Sequence, residues 1–249
     1  MSGSTDNLKG NEMTTTISVP ARMLRRRLTL VLPHCGEDDT LPALQGVRLE
    51  VQDGWLYLAA TDRYTMAVAR LPVPGAGEVP VPDQATLLPA ETARALRRLL
   101  KGADGVAALS LGENRISADI GNGTTGRWPA DDKAKFPEWR PMLAKMLAAG
   151  TAELGDGHGV DPGKLARFAI GADQFDLVPL SLRVTNGSSR QVNDGEAEPA
   201  PVLLVTRGDW FIGCLMPVRL GSLNAACAVS GTWDEWAALS APAGKSEAA

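Results

Sequence analysis

At 249 residues, 44% hydrophobic and 22% charged, the chain is long enough for one large or two modest domains with buried cores. Lys and Arg number 25 against 29 Asp and Glu, a net charge of -4, which excludes a globally basic coat but leaves room for a local basic face. No apolar run approaches the roughly 18 residues of a membrane span, and MSGSTDNLKGNEMTTT has neither the basic nor the apolar region of a secretory signal. Cys35, Cys214 and Cys227 lie far apart without a CxxC pair, as expected in a reducing cytoplasm. His34 and His158 are the only histidines, so no multi-histidine metal or acid–base centre is expected.

Residues 1–14 are polar and predict a disordered tail. A repeat follows, marked by prolines where helices begin, the position at which a missing N–H costs nothing. Pro20 opens ARMLRRRLTLVL, Pro89 opens AETARALRRLL and Pro162 opens GKLARFAIGA, at spacings of 69 and 73 residues. After each helix come alternating apolar segments bounded by turn residues, the pattern of hairpins. The first set is VRLEV, Asp53-Gly54, WLYLAAT and TMAVARLPV; the second is VAALSL, Gly112-Glu113-Asn114, RISADI and TGRWPA. The third is LSLRVT, a polar loop over 186–200 expected to be mobile, PVLLVTR, Gly208-Asp209 and WFIGCLMPV. The chain therefore predicts an α+β fold of three βαβββ modules. The predicted domains are 15–147, complete, and 148–221, partial. In the remaining 222–249 tail, Trp233, Trp236 and Leu239 recur at steps of three and suggest a short helix.

Several motif matches carry little. Gly121-Asn122-Gly123-Thr124-Thr125-Gly126 has dinucleotide-loop spacing, but RWPADD follows where a helix would have to open, so a strand-connecting turn is predicted. Arg207-Gly208-Asp209 reads as a hairpin turn. Adjacent His34 and Cys35 do not form a nucleophile–base pair by adjacency, and His158 sits in a loop-like Gly-Asp-Gly-His-Gly, expected to be exposed. Asp38-Asp39 and Asp131-Asp132 read as solvated acids rather than a metal site. No catalytic residue, metal or cofactor is predicted.

Positive charge is concentrated on the helices. Arg22, Arg25, Arg26 and Arg27 lie on the first, Arg94, Arg97, Arg98 and Lys101 on the second, Lys164 and Arg167 on the third: ten of the 25 basic residues. Helices sharing a face would present a phosphate-tracking surface without base readout. Ordinary solvated helix faces give the same pattern, and both readings stand on the residues alone.

Residues 37–72, EDDTLPALQGVRLEVQDGWLYLAATDRYTMAVARLP, carry LPxLxGVxLE followed by ATDxxxxA. With VPDQATLLPAETARALRRLL and KFPEWRPML at 135–143, this stretch resembles the middle domain of the bacterial DNA polymerase III β subunit, the sliding clamp. Residues 160–220, ending in Leu215-Met216-Pro217-Val218-Arg219-Leu220, resemble the second half of that family's last domain. The resemblance implies the DNA-clamp fold, with basic helices around duplex DNA bound independently of sequence. It also implies a non-catalytic, cytoplasmic replication factor that tethers a polymerase and other proteins carrying clamp-binding peptides.

The family's peptide pocket maps onto Leu44, Thr61, Arg63, Tyr64, Thr65 and Met66 on one wall. Pro137 and Met142 map to the domain exit, and Cys214, Met216, Pro217, Val218 and Arg219 to the other wall. Core packing accounts for Leu44 and Met66 nearly as well. The family has six modules per chain and closes a ring as dimers, whereas three modules are visible here. Two functions follow: a shortened clamp that assembles as a homo-oligomer, or a non-encircling adaptor, regulator or decoy that keeps the pocket. The partial domain would need a cover for its open sheet; the Trp233/Trp236/Leu239 face either supplies it, the preferred reading, or docks in the pocket.

Overall fold

A computed structural model describes residues 15–75, 84–112, 114–121, 123–131, 133–154, 158–170, 178–191 and 197–220. The predicted tails at 1–14 and 222–249, with Cys227 and the Trp233/Trp236/Leu239 face, lie outside the described residues.

The first two modules form as the sequence predicts. Strand β1 (Thr15–Pro20) leads into helix α1 (Ala21–Val31) and the meander β2 (Gly46–Gln52), β3 (Trp55–Thr61) and β4 (Thr65–Pro72). Strand β5 (Gln84–Pro89) leads into α2 (Ala90–Leu99) and β6 (Val106–Gly112), β7 (Arg115–Asp119) and β8 (Thr125–Pro129). Pro20 and Pro89 are the helix N-caps, with ψ of 117° and 143°, so each proline turns an extended strand directly into a helix.

The two modules exchange their first strands. β1 pairs with β6 of the second module, and β5 pairs with β2 of the first, both antiparallel. Gly46 is required at the second junction: a Cβ there would lie 2.3 Å from the Leu88 carbonyl oxygen. Helices α1 and α2 lie side by side. Their buried Leu24, Leu28, Ala93 and Leu96 join the inward residues of both sheets, among them Val19, Leu49, Leu58 and Leu109, in one core.

Helix α3 (Trp139–Ala148) is absent from the sequence expectation, which places no helix at the end of the 15–147 domain. Trp139, Leu143 and Met146, at i, i+4 and i+7, are its buried residues. They cover a second core on the opposite sheet face, made of Met66, Val68, Val202, Leu204 and Cys214. The predicted 147/148 boundary therefore falls at the C-terminal end of this helix.

The third module departs from the other two. Its first strand β9 (His158–Gly159) has two residues, and α4 (Pro162–Ala166) has five, continued by a 3-10 turn at Arg167–Ala169. His158 is thus a half-buried strand residue, not an exposed loop residue. Strands β10 (Ser181–Gln191) and β11 (Ala197–Arg207) are paired across most of the predicted 186–200 loop, with a register shift between Asn186 and Ser189. Alternating small and polar residues can pair as well as loop out once a neighbouring strand is available. β12 (Phe211–Leu215) then pairs with β4, Cys214 opposite Met66, and joins both halves in a seven-stranded sheet ordered β10-β11-β12-β4-β3-β2-β5. β13 (Val218–Arg219) pairs with β9.

Part of the expected cover for the open sheet comes from within the chain. After α3 the backbone turns at Gly150, φ 77°, and Thr151 bridges Thr185 on β10. The Ala152 N–H donates to the Val184 carbonyl, and the Thr185 hydroxyl donates to the Met146 carbonyl at 2.7 Å. The linker thereby occupies one stretch of the β10 edge.

Candidate peptide and nucleic-acid interfaces

The β3–β4 turn, Asp62-Arg63-Tyr64, is built by its own side chains. The Asp62 Oδ1 accepts from the Tyr64 N–H at 3.0 Å, the Thr65 N–H at 2.6 Å and the Thr65 hydroxyl at 2.9 Å. The Thr61 hydroxyl donates to the Thr65 carbonyl at 2.7 Å and accepts from the Arg63 N–H at 3.2 Å. These bonds hold Arg63 in the left-handed region at φ 79°, which a residue with a side chain rarely adopts unaided. The motif TDxxT is therefore a self-capped turn.

The turn presents Tyr64, which is 53% exposed. The Met216 N–H donates to the Tyr64 carbonyl at 2.8 Å, setting Met216, itself 37% exposed, beside it. Lys164 Nζ lies 4.9 Å from the Tyr64 ring centroid and Arg63 5.9 Å. Next to the turn, Leu44, Cys35, Arg63, Tyr64 and Arg167 line a cleft of about 240 Å³. The residues matched from sequence thus divide. Arg63, Tyr64, Met216, Pro217, Val218 and Arg219 lie at the surface or half-buried, and Leu44 lines the cleft.

Thr61, Thr65, Met66 and Cys214 are corrected. All four are buried; the two hydroxyls are engaged in the turn, and Met66 and Cys214 belong to the core that α3 covers. Met142 packs half-buried against that same core, and Pro137 is exposed just ahead of α3. Among the described residues, then, the open surface is narrower than the sequence match, and the buried members support it from beneath.

Below the turn lies a polar group the sequence reading missed. Arg167 donates to the Asp62 Oδ2 at 2.6 Å. His34 Nδ1 is 3.0 Å from the Thr65 hydroxyl, and its ring is 4.5 Å from that of Phe168. Because the Thr65 hydroxyl donates to Asp62, it accepts from His34, which fixes the neutral Nδ1–H tautomer. His34 Nε2 has no partner among the described residues. Burial, aided by the Arg167 charge and opposed by Asp62, pulls the His34 pKa down to about 4. Burial alone would raise Asp62, but the hydrogen bonds from Thr65, Arg167 and Tyr64 outweigh it and hold the carboxyl below its ordinary range. Burial pushes the thiols of Cys35 and Cys214 up to about 12, so neither is a nucleophile at neutral pH.

The basic residues divide as well. Arg22, Arg94, Arg98 and Lys101 are exposed, and Arg25, Arg26 and Arg97 half-buried, on adjacent α1 and α2. Arg27 is only 6% exposed: it donates to the Arg70 carbonyl and lies 3.7 Å over Trp210. Lys164 is held by Asp161 at 2.9 Å and by Tyr64, and Arg167 by Asp62. Arg27 is thereby buried away from the expected DNA face, and Lys164 and Arg167 are engaged within the fold.

A second cleft of about 310 Å³ lies where α3 meets the β11–β12 turn, with Tyr57, Trp139 and Trp210 in its wall. Arg140 stacks on both Tyr57 and Trp139, and Arg27 on Trp210, so arginines already use these rings. The link from β7 to β8 closes with the Thr124 N–H donating to the Gly121 carbonyl, a turn as predicted, and Thr125 and Gly126 already belong to β8. Asp38 is spent on Thr40 and Asp39 on Gln45. Among the described residues no group of three His, Cys, Asp or Glu could hold a metal ion, and no helix is long and apolar enough to cross a membrane.

Residues 18–127 match the family described as DNA polymerase III beta subunit, central domain. The beta sliding clamp of Streptomyces coelicolor is 36% identical over 139 residues, 53% of this chain and 36% of that protein. The chain thus spans about a third of that relative's length. The DNA polymerase III subunit beta of Pseudomonas aeruginosa has a TM-score of 0.58 at 17% identity, covering 86% of this chain and 69% of that one. The polymerase III beta of Caulobacter crescentus gives 0.58 at 16%, covering 86% and 68%. A sliding clamp from Bartonella birtlesii, bound to griselimycin, gives 0.56 at 15%, covering 86% and 68%. The fold is the DNA-clamp fold.

Proposed function

Since residues 18–127 match the family of DNA polymerase III beta-subunit central domains, we propose that the chain is a shortened, non-catalytic clamp of DNA replication. It holds duplex DNA through α1 and α2 and tethers polymerase or other proteins at the Tyr64–Met216 surface. The observation that carries this reading is the coincidence of three features within the matched segment. The segment pairs its basic helices side by side, turns Tyr64 outward, and receives Met216 from the end of β12 by a backbone hydrogen bond. Contact through shape and charge alone predicts binding without sequence preference and with steep salt dependence.

A second reading is favoured by the linker. Thr151 and Ala152 occupy β10 where a further strand would add, which suits a non-encircling adaptor that keeps the peptide surface. Light scattering across a concentration series, followed by retention on nicked circular DNA, separates the two. A tetramer held on circles and lost when they are linearised supports the clamp. A monomer at every concentration, with no topological retention, overturns encirclement and leaves the adaptor. Griselimycin, found on the Bartonella birtlesii clamp, is the probe for the peptide surface. Calorimetric binding that Met216→Glu abolishes supports the assignment, and no binding to the unmodified chain sinks it.

A further inference from the structure

The third module reaches the peptide surface with a charge from behind. Arg167 follows α4, 105 residues beyond Asp62, and its NH1 meets the Asp62 Oδ2 at 2.6 Å while lying 3.5 Å from the Thr65 hydroxyl. The other oxygen of the same carboxylate accepts all three bonds from Tyr64 and Thr65 that shape the turn. One carboxylate therefore joins two separate parts of the chain. Its Oδ1 folds the turn, and its Oδ2 is taken by the third module.

Arg167 is itself held in place. The next residue, Phe168, is fully buried, with its ring against His34 and 6.3 Å from that of Phe211. Gly213 on β12 leaves room for that ring, since a Cβ there would lie 2.4 Å from Phe168 Cε1. Phe168 seats the segment, and Arg167 points from it to the turn. Lys164, one helical turn earlier, lies against the exposed side of Tyr64. The same short segment thus touches the turn at its carboxylate and at its aromatic ring.

We propose that Arg167 is a positioning residue of the peptide surface: by clamping Asp62 it makes the presenting conformation of the Arg63–Tyr64 turn conditional on docking of the third module. This deepens the peptide-surface reading and rests on it. Without the guanidinium, Asp62 is left partly buried and without the cation that pairs with it, a costly state that the turn relieves by opening to water. Arg63, no longer held at φ 79°, then samples the ordinary backbone regions, and Tyr64 moves with it. A peptide must first pay to reorder the turn, so affinity falls although no residue it touches has changed.

The test uses the full chain with Arg167→Met and Arg167→Lys, read by amide hydrogen exchange and by griselimycin affinity. In Arg167→Met, the Tyr64 and Thr65 amides should exchange at least about tenfold faster, while core amides of β1 and β6 keep their protection. Griselimycin affinity should fall by about tenfold, and Arg167→Lys should restore much of both effects. DNA affinity and its salt slope should not change. Unchanged turn exchange in Arg167→Met overturns the proposal, as does a uniform rise across all three modules, which would mark a purely structural role. If turn exchange rises selectively but the unmodified chain does not bind griselimycin, the peptide-surface reading fails and the coupling of Arg167 to the turn stands. A reduced DNA salt slope in Arg167→Met would return the residue to the phosphate-facing set and overturn the assignment.

Discussion

The first two modules and the third begin from the same sequence pattern and end in different structures. Modules one and two complete each other: each donates its first strand to the other's sheet, and α1 and α2 bury one another's inner faces. Among the described residues the third has no module to exchange with. Its first strand shrinks to two residues, its helix to five, and it attaches by adding β12 to β4. The difference decides what the basic residues do. On α1 and α2, packed along one side, most arginines point away from the core. On the short α4 segment, Lys164 and Arg167 turn back onto Tyr64 and Asp62. A helix too short to bury a stripe is positioned by its side-chain contacts instead.

The largest test of that contrast is Phe168→Ala. Deleting a fully buried aromatic ring between His34 and Phe211 should cost about 3–5 kcal/mol. If the exchanged modules are self-sufficient, the loss will be local. Hydrogen exchange should accelerate in β10, β11 and β12 while β1, β6 and β7 stay protected. Simultaneous loss of protection everywhere would mean that the β4–β12 seam makes all three modules one cooperative unit, and that the contrast is one of shape only.

Acid provides the next test. His34 is neutral in the folded chain down to about pH 4, whereas the unfolded chain takes up a proton near pH 6.5. Unfolding therefore binds a proton between those values, and stability falls as pH drops through the window, by about 3 kcal/mol in all. The depressed Asp62 adds a further loss of the same sign, at pH values below the ordinary carboxylate range. Urea midpoints from pH 7 to 4 should show the slope, and His34→Phe should flatten it. A slope that persists in that variant would place the titrating group elsewhere, and the third module's packing on His34 would not be the acid-sensitive contact.

Much of this was legible because local signals agree with the fold. The prolines at 20 and 89, the Asp53-Gly54 turn and the alternation of VRLEV and WLYLAAT each point to the element that forms. The α3 helix carried a readable signal too: Trp139, Leu143 and Met146 at helical spacing, with Gly150 just beyond the end. Other features could not be read from local pattern. Nothing near Arg167 names Asp62, 105 residues away, as its partner. Nothing near Arg27 says that Trp210 will stack on it. Charge on a helix identifies a cation but not its direction, which depends on packing across the β4–β12 seam. The pocket residues show the same limit: Thr61 and Met66 occupy the family's positions, yet one is consumed by the turn and the other sealed beneath α3.

Thr61 gives the smallest effect and the sharpest division between the two roles offered for it. If its hydroxyl served chiefly as a peptide contact, Thr61→Ala would weaken binding and leave the free chain as stable as before. The structure places that hydroxyl between the Thr65 carbonyl and the Arg63 N–H, both within the turn. Removing it takes one donor from the Thr65 carbonyl, which keeps the Asp62 N–H at 3.2 Å, and the acceptor from the Arg63 N–H, at a cost of about 1 kcal/mol in the absence of any ligand. The urea midpoint should fall accordingly, whereas Thr61→Ser, which keeps the hydroxyl, should recover most of it. Since Asp62 still supports the turn from the other side, exchange at Tyr64 should rise less than in Arg167→Met. Equal effects would mean that the turn's own bonds, rather than the third module, set its conformation, and the contrast between the modules would then stop short of the peptide surface.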